Sequence, residues 1–89
     1  MRWRIEQAEE FREEVERYSD ADRAILANAY QALPRYGPLP HPSSPLEIHR
    51  SRDPRARDAY VLVLPTLVVG YQMLGDVALV QAADIIRHP

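Results

Sequence analysis

The chain has 89 residues, with eleven basic and thirteen acidic side chains, three histidines, no cysteine and a net charge of −2. That length makes one domain over residues 1–89, whose single core buries roughly 60% of the surface the unfolded chain exposes. The missing cysteines exclude disulfides, thiolate zinc sites and cysteine nucleophiles and point to the cytoplasm, while the charge argues against a general nucleic-acid coat.

Met1-Arg2-Trp3-Arg4 runs directly into charged sequence, without the apolar run of a secretory signal. Residues 1–7 alternate, with Trp3 and Ile5 on one side and Arg2, Arg4 and Glu6 on the other, which predicts a half-buried strand. From Ala8 the period lengthens. Ala8, Phe11, Val15 and Tyr18 recur every three or four residues above a charged face, which predicts an amphipathic helix. Ser19-Asp20-Ala21-Asp22 reads as a turn and N-cap for a second helix with Ile25, Leu26, Ala29 and Leu33 inward. Pro34 is expected to end it. PRYGPLPHPSSP holds five prolines in twelve residues and reads as an ordered loop.

Leu46 to Arg52 is expected to be a short strand that turns at Asp53-Pro54 and returns over Ala59 to Leu64 as a hairpin. AYVLVLPTLVVGYQML, Ala59 to Leu74, carries twelve apolar or aromatic residues in sixteen. An apolar helix needs about 20 residues to span a bilayer, and Pro65 and Gly70 interrupt this stretch, so it reads as two buried strands and gives no membrane span. Pro65-Thr66 makes the reversal, Leu67 to Leu74 the next strand, Gly75-Asp76 a tight turn, and Val77 to Ala83 the last strand. The expected fold is α+β, in the order β-α-α-β-β-β-β, with an antiparallel-rich curved sheet covered on one face by a helical hairpin.

The AYVLVL strand, the GYQMLGD strand and turn carrying Tyr71, and the Ile86-Arg87-His88 ending, set in this element order and length, resemble the RelE/ParE superfamily of bacterial toxin–antitoxin toxins. The likeness covers nearly the whole chain. It implies an antitoxin partner, and either ribosome-dependent cleavage of messenger RNA or, as in ParE-like members, inhibition of a topoisomerase. In the cleaving members basic residues line the sheet and an Arg ends the last strand, followed in YoeB-like toxins by a histidine; Arg87 and His88 take those places. The resemblance implies catalytic roles for both, His88 as acid or base and Arg87 on the phosphate. Departures from the pattern are specific: Val61, Val63 and Val68 stand where the family has basic residues, and Pro89 replaces a terminal aromatic.

Two classes of function follow. As an enzyme, the chain would hold RNA phosphates with Arg50, Arg52, Arg55 and Arg57, of which Arg50 and Arg52 are expected to project from one face of the hairpin. Asp53 and Asp58 flank these arginines, so a solvated turn laced with charge pairs is the alternative. As a binding module, it would present Val61, Val63 and Val68 to an antitoxin, another partner or a second copy of itself, because with Leu62 and Leu64 facing the helices those valines leave the opposite face apolar. A coiled sheet with both faces internal is the competing arrangement, and an unrelated homodimeric domain is a third. His41 and His49 lack neighbours at ligand spacing, so neither metal nor cofactor is expected, and Tyr30, Tyr36, Tyr60 and Tyr71 read as core or core-edge aromatics.

Overall fold

The computed structural model describes residues 3–86. Its elements are β1 (Arg4–Gln7), α1 (Glu9–Val15), α2 (Asp20–Tyr36), β2 (Glu47–Arg50), β3 (Ala59–Val63), β4 (Leu67–Leu74) and β5 (Val77–Ile85). They build an α+β fold in the expected order. The five strands form one sheet ordered β1-β5-β4-β3-β2, antiparallel except that β1 runs parallel to β5. The parallel pair follows from the connection: the two helices and the β2 to β5 meander intervene before the chain returns beside its own start.

One face is closed. Phe11, Leu26, Ala29 and Leu33 from the helices meet Ile48, Leu62, Leu67, Val69, Tyr71, Ala78 and Val80 from the sheet. Period-2 alternation sends the even positions of β3 and the odd positions of β4 into this layer, as the paired register Tyr60–Tyr71 and Leu62–Val69 requires. The proline-rich loop joins it through Tyr71, whose hydroxyl donates to the buried carbonyl of Pro38.

Local chemistry sets the element ends. Ser19 caps α2, its hydroxyl accepting from the Asp22 N–H at 3.1 Å, with Asp20 and Asp22 in the first turn where the helix dipole favours negative charge. Pro34 does not end this helix, contrary to expectation. The helix runs on to Tyr36, because in the last turn the proline forgoes a single backbone hydrogen bond on an exposed position. The stop is Gly37, at φ 89°, a conformation costly for any residue with a Cβ, and its N–H closes on the Leu33 carbonyl at 2.8 Å.

Other boundaries shift by a few residues. α1 is shorter than its apolar period, closing at Val15, and Tyr18 follows in a turn where its ring packs edge-on against Phe11 with centroids 6.4 Å apart. β2 is trimmed to Glu47–Arg50, so Leu46 and Arg52 lie outside it, and β5 runs past Ala83 to Ile85. Among the described residues no helix is long and apolar enough to cross a membrane.

Candidate protein-docking face

Among the described residues no helix lies on the other face of the sheet. Val61 and Val63 of β3, Val68, Gly70 and Gln72 of β4, and Val77, Leu79, Ala82 and the exposed Asp84 of β5 share it by register. At the rim stand Arg4 and Glu6 on β1 and Glu47 and His49 on β2. All three valines singled out from the sequence are therefore on one open surface. Each is half-buried by its strand neighbours, whereas Leu62, Leu67, Val69 and Val80 opposite are 1% exposed or less. Leu74 extends the apolar surface at the β4–β5 turn and is 50% exposed.

One contributor, Ala82, is not evident from the sequence. Counting by twos from Val80 puts Ala82 on the helix side, but a bulge between Gly70 and Tyr71 leaves Gln81 unmatched in β5, so Val80 pairs with Tyr71 and Ala82 with Gly70. The bulge swaps the parity of the strand's second half. Ala82 turns to the open face, Ala83 packs against the core, and Gln81 donates from its amide to the Gln72 side chain at 3.3 Å. No pattern in Val77 to Ile85 marks that slip, although Gly70 was visible as a glycine inside a strand.

The β2–β3 connection, residues 51–58, rises beside this face. Ser51 and Asp53 fold it through side-chain turns, with Asp53 Oδ1 accepting from the Arg55 N–H at 2.9 Å. Asp58 sits at φ 54° and its carbonyl accepts from the Met73 N–H at 2.8 Å, fixing the loop's return to β4. A hollow of about 200 Å³ lies between Ser51, Asp53 and Ala56 of this loop and Val61, Gly70 and Ala82 of the sheet. It shares Ser51 and Val61 with a larger cleft of about 600 Å³ that is also lined by His49, Arg50 and Arg52.

The four arginines divide. Arg50 and Arg52 line the larger cleft together, although Arg50 belongs to the helix-side register of β2 and Arg52 to the loop, so the single hairpin face expected of them is not how they meet. Arg55 and Arg57 are exposed on the loop outside both hollows. Among the described residues none of the four has a carboxylate partner within 4.0 Å; the ion pairs are Arg4–Asp76, Arg23–Asp20 and His49–Glu47. Asp53 and Asp58 shape the loop's backbone rather than pairing with its arginines. Arg87 and His88 lie outside the described residues. Ile86, the residue before them, gives its N–H to the Thr66 carbonyl, at the end of the sheet where Ile85 pairs with Leu67. The arginine loop departs from the other end, where Ala59 pairs with Gln72. Five residues of β4 separate those rows, about 17 Å at strand rise.

Tyr71 is buried beside Tyr60, their ring centroids 6.1 Å apart, and Tyr30 accepts from the Gln7 amide at 2.6 Å. Burial raises the pKa of the Tyr71 hydroxyl and pushes that of Tyr30 up to about 12, so both serve as neutral hydrogen-bonding groups. Tyr36 departs from its core-edge reading: it is 43% exposed, with the Arg35 guanidinium 5.3 Å from its ring centre. Among the described residues no cluster of three His, Asp or Glu side chains is arranged to hold a metal ion.

The fold and this surface define a small α+β protein with one closed and one open sheet face. No protein-family model, curated protein or solved structure matches the chain.

Proposed function

We propose that the chain is a binding protein of the RelE/ParE toxin type, which acts by docking its open sheet face on a protein partner such as an antitoxin. The observation that carries the reading is the cluster of apolar side chains, Val61, Val63 and Val68, on the sheet face that no helix covers among the described residues. Contiguous apolar surface left to water is costly, and in soluble proteins it marks places where another chain sits. Support for the toxin type is the element order and length together with the strand and ending motifs. RNA cleavage is the second reading: it needs cations and proton carriers within hydrogen-bond reach of one phosphate, and Arg87 and His88 lie outside the described residues.

Controlled expression in a bacterium tests this. The intact chain is expected to arrest growth, Arg87→Ala and His88→Ala to arrest it equally, and Val61→Asp with Val68→Asp to abolish arrest while the purified variant still unfolds cooperatively. New transcript ends that vanish in both the Arg87 and His88 variants would establish the nuclease instead, and failure of the intact chain to arrest growth would remove the toxin reading.

A further inference from the structure

Within the open face, one row is lower than its neighbours. Val61, Gly70 and Ala82 lie side by side in register across β3, β4 and β5, between the row of Val63 and Val68 and the row holding Gln72 and Leu79. Gly70 is not forced by crowding, since a Cβ there would meet nothing nearer than the Ala82 carbonyl oxygen at 3.8 Å. Glycine inside a strand is disfavoured by its backbone entropy. What its missing side chain does here is deepen the floor. The resulting trough crosses the strands, walled by Ser51, Asp53 and Ala56, and shares Ser51 and Val61 with the cleft lined by Arg50 and Arg52.

That cleft is lined by Arg50 and Arg52 and by no acid, while Asp53 lines the hollow beside it, its Oδ1 accepting from the Arg55 backbone, and neither arginine has an acidic partner within 4.0 Å among the described residues. An aliphatic floor leading to two free guanidinium groups is complementary to an apolar chain that ends in carboxylates. We propose that this trough binds a short segment of a partner protein, laid across the strands, with small or branched apolar side chains over Gly70 and Ala82 and one or more Asp or Glu at Arg50 and Arg52. The inference rests on reading the open face as a protein-docking surface and adds the chemistry of what docks.

Length and lining select this occupant. From β2 to β5 the trough spans three inter-strand spacings, about 14 Å, room for about four extended residues. Single-stranded RNA would want exposed aromatic rings for stacking beside the cations; Tyr60 and Tyr71 border the hollow, but their rings pack with the core. A second copy would offer acids on α1, but the apolar anchor of that helix, Phe11, is already buried in its own core.

The test uses a random twelve-residue peptide library displayed on phage, panned against the full chain, with decauridine titrated in parallel. The expected result is enrichment, at least threefold over the starting library, of peptides with Asp or Glu beside an apolar run. Panning on Arg50→Glu with Arg52→Glu, both exposed substitutions, is expected to replace those acids with Lys or Arg. Gly70→Val, which fills the floor, is expected to weaken a selected acidic peptide at least tenfold while the variant unfolds as cooperatively as the parent. Selection of no peptides, selection indifferent to the charge swap, or decauridine binding lost in the arginine variants without peptide enrichment each overturns the proposal. If selected peptides lose binding with Val68→Asp yet ignore the arginine swap, the docking face stands and the cationic cleft falls. Self-association in sedimentation that Gly70→Val abolishes, with no peptide enriched, assigns the trough to a second copy and overturns it as well.

Discussion

The two faces of this sheet are built from the same kinds of residue and do different work. Leu62, Leu67, Val69 and Val80 face the helices and have lost essentially all contact with water; Val61, Val63 and Val68, often the very next residues, keep part of theirs. Composition cannot distinguish them, because both sets are aliphatic. Coverage does: α1, α2 and the proline-rich loop are anchored on one side by Phe11, Leu26, Leu33 and the Tyr71–Pro38 hydrogen bond, while among the described residues the other side has no helix and is bordered by the 51–58 loop. An apolar strand residue thus stabilises this fold only as far as something is packed over it.

The largest expected consequence is on the closed face. Leu67→Ala should remove buried methyl groups from a site with no exposed surface and cost about 2 to 5 kcal/mol, read as a lower denaturation midpoint at unchanged slope. A loss under about 1 kcal/mol would mean that the layer is loosely packed and the contrast between faces unreal.

Adjacent residues sharpen the contrast further. Val69→Thr places a hydroxyl of nearly the same shape in the core, where no partner awaits it, and should cost about 1 to 3 kcal/mol. Val68→Thr makes the same chemical change one residue away, on the open face, where water reaches the hydroxyl and threonine suits a strand; it should stay within about 0.5 kcal/mol. Equal losses in the two variants would show that both faces are internal, the coiled arrangement that the sequence left open.

Much of the closed face was legible beforehand. Period-2 alternation sets Leu62 apart from Val61 and Val63, the apolar spacing from Phe11 and from Ile25 to Leu33 marks the helices, and Ser19 and Gly75 mark a cap and a turn. Misreadings came where one local rule met a compensating context. Pro34 breaks a helix only when there is a helix left to break, and at the last turn there is almost none. The trough was illegible for a different reason: it depends on the bulge at Gln81, which brings Ala82 beside Gly70, and on a loop that folds back through Asp53 and Asp58, and neither cross-chain register nor loop direction is written in a local pattern. Arg50 and Arg52 were found as a charge run, but their shared cleft is a product of that same loop.

The smallest expected effect follows from the absence of lysine and cysteine. With all eleven basic residues arginine, the tyrosines are the only side chains whose ordinary pKa lies between about pH 9 and 12, so alkaline titration interrogates them selectively. Three of the five, Tyr18, Tyr30 and Tyr71, have raised pKa values, chiefly because burial penalises the phenolate; for Tyr18 the charge of Glu14 adds to it. All three pack on the helix-covered side. A raised folded-state pKa means that the folded protein holds its proton more tightly than the unfolded chain, so this contribution is fully present below about pH 10 and is lost as the pH climbs through the folded value. For Tyr30 the window is from about 10 to about 12, and the loss should be about 1 kcal/mol once the water around its half-buried ring is allowed for. Denaturant midpoints at pH 9 and pH 11.5, with tyrosinate absorbance followed alongside, measure it, and Tyr30→Phe should flatten the dependence in part. A midpoint constant across that interval would mean that these rings meet solvent in the folded state, which would place the water on the face assigned to the helices.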